Sequence, residues 1–220
     1  MLMQPNTRRN FLQLAAKAGV TVSGAGLVMG ALSVPAFAQG PDFTMKQLMM
    51  PMPLKDLPIG KDDAPITVIE YASMTCPHCA EFQKVTFPKL KSDYLDTGKA
   101  RYILREFPLD PLATAAFMVA RYAGDDKRNA VVDLLFANQD KWVYVDKQVD
   151  GMTKLLTQAG ITKDQIDKCL ADKQLYDNVN KMRDIGADTF KIDSTPTFFI
   201  NGRRHEGDFA PADLPKLIVA

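Results

Sequence analysis

The stretch Ile66-Thr67-Val68-Ile69-Glu70-Tyr71-Ala72-Ser73-Met74-Thr75-Cys76-Pro77-His78-Cys79 decides how the rest of the chain is read. Ile66 to Ala72 is an apolar, β-favouring run with the composition of a core strand. Cys76 and Cys79 follow it, one helical turn apart and directly before a helix-like stretch. A C-x-x-C pair between a strand and a helix reads as a redox site.

At the head of a helix, unpaired backbone N–H groups and the helix dipole favour a negative sulfur. Cys76 is therefore the expected nucleophile. A thiolate attacks disulfides and a thiol does not, so lowering the pKa below the free value of about 8.5 governs both rate and redox equilibrium. His78, if protonated or donating, adds to that effect. Cys79, one turn deeper, is expected to resolve the mixed disulfide formed by Cys76, and Pro77 and His78 to tune the oxidising power. The same pair as half of a zinc site needs a second ligand pair, and only Cys169, His78 and His205 remain to supply one, so no metal is expected. Haem attachment needs histidine where Ala80 stands.

Thr7-Arg8-Arg9-Asn10-Phe11-Leu12 matches the twin-arginine export pattern, and the uncharged stretch after it ends in Ala36-Phe37-Ala38, a small-x-small cleavage site. Cleavage after Ala38 is expected, with a periplasmic mature protein that does not span the membrane; an uncleaved anchor over Ala18 to Ala38 is the alternative. Either places the globular part where disulfides persist. Loss of residues 1–38 removes Arg8, Arg9 and Lys17 and no acids, taking the formal net charge from +1 to −2. No basic field remains to point to nucleic acid.

Residues 39–65 read as an extended arm, because Pro41, Pro51, Pro53, Pro58 and Pro65 interrupt regular structure. Its Met45, Met49, Met50 and Met52 either pack the arm against the body or offer thioethers to Cu(I). After the CPHC segment, Phe82, Val85 and Leu90 predict an amphipathic helix kinked or broken at Pro88. Ala100 to Phe107 predicts a second core strand. From 111 to 190 the periodicity is helical: Ala115, Met118, Val119 and Tyr122 mark one helix, Val131, Leu134 and Leu135 another after a charged loop, and Thr162 to Gln165 a capping box. Gly186 is expected to precede the return to strand sequence. Thr197 to Ile200, the turn Asn201-Gly202 and Arg203 to Glu206 predict a hairpin, with a final helix over 211–219. The order describes an α/β, thioredoxin-like fold, residues 66–110 with 191–220, holding an all-helical insertion over 111–190.

Three segments carry a resemblance to a known family: Gly60-Lys61-Asp62-Asp63-Ala64-Pro65, Glu70 through Cys79, and Thr195-Pro196-Thr197-Phe198-Phe199-Ile200-Asn201-Gly202. Over roughly residues 54 to 220 the chain resembles the DsbA-like branch of the thioredoxin superfamily, exported thiol:disulfide oxidoreductases. The resemblance implies no cofactor beyond the Cys76-Cys79 disulfide, reduced exported proteins as substrates, and a membrane quinone-linked reoxidase as partner. It implies a cis Pro196 facing the disulfide, with Thr195 contacting substrate backbone; threonine there is common in isomerase and reductase relatives, valine in oxidases. A proline opening a strand also leaves the preceding carbonyl free for an incoming peptide. Glu70, a carboxylate in an apolar strand, is implied to relay protons to Cys79, or else forms a strand-end salt bridge with Arg101 or Arg105. Cys169, beside Ile166 and Leu170, is expected buried and inert, with an intermolecular disulfide as the alternative. His205 is expected to be exposed. The expected activity is dithiol oxidation of exported proteins; the alternatives are isomerase or reductase action on the same fold, or a client-binding or copper-handling protein.

Overall fold

The computed structural model describes residues 42–219; the export motif and the cleavage site at Ala38 lie outside the described residues. The first helix, α1 (Met45–Leu48), is closed by a capping box in which Thr44 and Gln47 satisfy each other's backbone N–H groups. Residues 42–65 are thus not extended throughout. The helix forms ahead of Pro51, and β1 (Ile59–Gly60) is recruited to the sheet edge by antiparallel pairing with β3 (Ala100–Glu106).

β2 (Ile66–Ala72) is buried along its whole length, parallel to β3 on one side and antiparallel to β4 (Thr197–Ile200) on the other. β5 (Arg203–Glu206) completes the order β1-β3-β2-β4-β5. Asn201 and Gly202 join the last two strands with φ of 46° and 90°, the double left-handed geometry of a two-residue hairpin. Strand alternation divides the core in two. Val68, Ala72, Tyr102, Leu104 and Phe198 pack on one face; Ile69, Tyr71, Ile103, Phe190 and Phe199 pack on the other.

The helix that starts at the CPHC segment runs as α2 (Pro77–Glu81), a wide π turn over Phe82–Thr86, α3 (Phe87–Leu90) and a second wide turn over Lys91–Leu95. Pro88 has no N–H to give the preceding turn. The chain meets it by widening, with the Phe87 N–H reaching back to the Phe82 carbonyl, and continues rather than breaking.

Every regular element of the insertion is helical: α4 (Pro111–Tyr122), α5 (Asp125–Ala137), a short turn over Gln139–Lys141, α6 (Gln148–Gln158), α7 (Lys163–Leu170) and α8 (Lys173–Phe190). Asp125 and Asp126 sit in the first turn of α5, where their charge suits the helix dipole, and not in a loop. Thr162 and Gln165 form the capping box of α7, which buries Ile166 and Cys169. Gly186 does not end α8, which runs on to a left-handed Lys191. A Cβ at Gly186 would meet the Phe107 ring at 3.1 Å and the Tyr71 ring at 3.2 Å, so the glycine lets α8 pack closely on these two rings. The C-terminal helix is also shorter than expected: a 3₁₀ turn over Pro211–Asp213 leads into α9 (Leu214–Leu217), since Pro215 cannot bond back to Pro211. Among the described residues no helix is long and apolar enough to cross a membrane.

Candidate active site

Both CPHC sulfurs are reduced, and both cysteines are buried, Cys76 to 6% exposure and Cys79 completely. Cys76 is the N-cap of α2, extended at φ −75° and ψ 123°, with Pro77 supplying the first helical residue where no N–H is needed. The Cys76 thiol is pulled down to about 5. Donation from the Cys79 thiol contributes most; burial opposes it, and Thr195 and the backbone N–H groups of Cys79 and His78 add to the lowering. Cys79 moves the other way. Its burial, its bond to Cys76 and the nearby Glu70 charge hold it well above the usual thiol range.

His78 lies at the site with its imidazole beside Asp208. Nδ1 stands 3.6 Å from Asp208 Oδ2, and what His78 gives to Cys76 is its backbone N–H. Thr195 and Pro196 approach from across the sheet, joined by a cis peptide bond. The Cys76 thiol donates to the Thr195 carbonyl at 3.3 Å, and the Thr195 hydroxyl is buried with no hydrogen-bond partner.

Glu70 is fully buried one layer below. Its Oε2 accepts from the Tyr102 hydroxyl and, at 3.4 Å, from Gln83 Nε2, which also donates to the Tyr102 oxygen at 2.8 Å; Oε1 has no partner. The salt-bridge alternative does not hold, because both candidate arginines are engaged elsewhere. Arg101 donates to the Thr67 hydroxyl, and Arg105 pairs with Asp56 and Tyr71. Burial pushes Glu70 up to about 8, against the hydrogen bond from Tyr102. The Arg128 charge reaches Glu70 only as the least of the influences on it, because Arg128 and Arg121 both bond Glu106 Oε1. Burial alone would raise Glu106, but the two guanidiniums hold its carboxyl below the usual range.

Tyr102, Gln83, Asp110 and Gln139 are site residues that the sequence did not mark. Asp110 accepts from the Thr75 hydroxyl at 2.5 Å and caps α4 through the Ala113 N–H. Gln139 Nε2 donates to the carbonyls of Met74 and Cys76. These contacts join positions far apart in sequence, so no local pattern announces them; Asp110 alone had a signal, as an Asp-Pro helix start. A groove of about 670 Å³ opens beside Cys76 between Pro77, Leu109, Leu112 and Val143. Cys169 is buried, and its thiol is pushed up to about 12. His205 is half-buried rather than exposed, because β5 pairs it with Phe198.

Two sulfurs of opposed acidity, a buried acid and a cis-proline loop across the sheet make a site suited to thiol–disulfide exchange. Comparison with known proteins places the chain. The Thioredoxin family model matches residues 54–220. A Rickettsia bellii protein named as a protein-disulfide oxidoreductase is 34% identical over 152 residues, 69% of this chain and 59% of the relative, so the chain spans little more than half of that relative's length. The crystal structure of Wolbachia pipientis alpha-DsbA1 is 30% identical, with a TM-score of 0.72 covering 80% of this chain and 94% of that one. BdbD from Bacillus subtilis, at 22% identity and a TM-score of 0.63 over 74% of this chain and 90% of its own, shares the fold. The chain belongs to the thioredoxin family, in its DsbA-like branch.

Proposed function

We propose that this protein is an extracytoplasmic thiol:disulfide oxidoreductase that introduces disulfides into exported proteins at Cys76-Cys79. The observation that carries the reading is the opposed acidity of the two thiols, with Cys76 lowered to about 5 and Cys79 raised. A stabilised Cys76 thiolate favours the reduced enzyme, and an enzyme that favours its reduced form gives its disulfide away.

In the oxidised enzyme, a client thiolate attacks Cys76 Sγ; the Cys76–Cys79 bond breaks and Cys79 leaves with the electron pair. Glu70, which holds a proton at neutral pH, supplies it to Cys79. A second client thiolate then attacks the client sulfur of the mixed disulfide, and Cys76 leaves as the stabilised thiolate. The client is oxidised by two electrons and the enzyme reduced by two. The extended client lies against Thr195 and Pro196, beside the Thr195 carbonyl that stands 3.3 Å from the sulfur. Reoxidation by a membrane quinone-linked oxidase closes the cycle, and the export signal of residues 1–38 supplies the compartment.

Thr195 favours a second reading, a reductase or isomerase on the same site, by its frequency in such relatives. The reduction potential in glutathione buffers, with the Cys76 thiolate titration beside it, separates them. A strongly oxidising couple with a depressed Cys76 supports the oxidase; a reducing couple with an ordinary thiol assigns the protein to the reductase side.

A further inference from the structure

Gln139 opens the short turn between α5 and α6 and is buried to 6% exposure. Its Nε2 donates to the Met74 carbonyl at 2.8 Å and the Cys76 carbonyl at 3.0 Å. The turn that presents it is itself fixed. Val143 N–H bonds the Gln139 carbonyl at 2.8 Å, and the fully buried Trp142 donates from its indole to the Leu135 carbonyl at 2.9 Å. Two carbonyl oxygens of like partial charge thus converge on one nitrogen; the Cys76 carbonyl also accepts from the Ala80 N–H at 3.2 Å, so removing Gln139 strips the Met74 carbonyl of its side-chain donor and unties it from the Cys76 carbonyl. Asp110 secures the same segment from α4 through the Thr75 hydroxyl.

We propose that Gln139 is a positioning residue: its carboxamide holds the Cys76 backbone in the extended conformation that aims the sulfur at the α2 amides, so the inserted helices govern the nucleophile. The proposal rests on Cys76 being the attacking thiol. The sulfur depends on this backbone because the His78 and Cys79 N–H groups reach it only while ψ of Cys76 keeps it over the helix end. The titratable groups around it are Cys79 and Glu70 below, His78 with Asp208 to one side, and Asp110 through Thr75. Gln139 carries no charge and acts through carbonyls, so its effect on the sulfur is one of aim.

The test is Gln139→Met in the whole chain, which keeps the length and loses the donor. The midpoint of the Cys76 thiolate absorbance is expected to rise by about one pH unit, and the equilibrium with glutathione to move about tenfold toward the enzyme disulfide. Both left unchanged, whatever happens to the melting temperature, would overturn the proposal. In the unmodified protein, the Gln139 side-chain amide resonances are expected to shift with the Cys76 midpoint; resonances that stand still through that titration overturn it even if the variant does not fold. An unmodified Cys76 that titrates like a free thiol removes the nucleophile reading itself, a failure visible without any variant.

Discussion

The Tyr102 hydroxyl donates to the Glu70 carboxylate in a layer where both side chains are closed to solvent. A buried carboxylate is usually held by a cation or by a proton. Here the direct partners are a phenol and the Gln83 amide, so the proton is the stabilising element, and Glu70 stays neutral to about pH 8.

Tyr102→Phe deletes that donor. Glu70 is expected to titrate higher still, followed by its infrared carboxyl band, and the fold to lose about 1–3 kcal/mol in urea denaturation. A Glu70 titration unmoved by the change would show that the phenol is a bystander.

Glu70→Gln separates stability from chemistry. The folded-state pKa of Glu70 lies above its unfolded value, so its ionisation weakens the fold as pH rises from 4.5 to about 8, and it costs nothing below that range. The variant is expected to gain on the parent by about 2–4 kcal/mol at pH 7 to 8, less what its unpaired amide N–H loses, and to show no such gain at pH 4. Stopped-flow exchange with a reduced peptide should slow about tenfold or more, since Cys79 loses its proton donor. Unchanged kinetics would refute the relay.

The reduced and oxidised forms should respond differently to acid. The folded Cys76 pKa is depressed, so the reduced protein holds a stabilising contribution above about pH 9 that declines as pH falls and is gone below about 5. At pH 7 this amounts to about 1–2 kcal/mol once water around the sulfur is allowed for. Paired denaturation curves from pH 4 to 8 should show the stability advantage of the reduced form growing with pH.

Cys79→Ser is expected to trap mixed disulfides when its Cys76 thiolate attacks a disulfide-bonded client and expels one client thiolate, seen as adducts on non-reducing gels, whereas Cys76→Ser should form none. Adducts of equal yield in the two variants would mean that the two thiols are interchangeable.

Thiol labelling of the native reduced protein should modify Cys76 quickly and leave Cys169 silent until unfolding, because α7 buries it and its thiol is held up at about 12. Rapid labelling at Cys169 would contradict that burial.

Elements set by local pattern were legible in the sequence, and those set by distant partners were not. β2, β4 and β5 begin and end where the apolar runs and the Asn201-Gly202 turn place them, and Thr162 with Gln165 caps α7 as its spacing predicts. Gly186 misleads because glycine commonly stops helices, while here it admits Phe107 and Tyr71 against α8. At the active site the two thiols could be read from their spacing. The orientation of His78 toward Asp208 could not, nor could Gln139, whose bond to Cys76 crosses 63 positions.

The contact between Cys76 and Thr195 spans 119 positions, with the whole insertion between them. A chain made from its N-terminus therefore presents its CPHC segment long before β4 arrives to complete the pocket. Until the last strands dock, Cys76 has its local partners, Cys79 and the α2 amides, but lacks the wall that Thr195 supplies. The pocket thus closes around the nucleophile only when the C-terminal strands are in place.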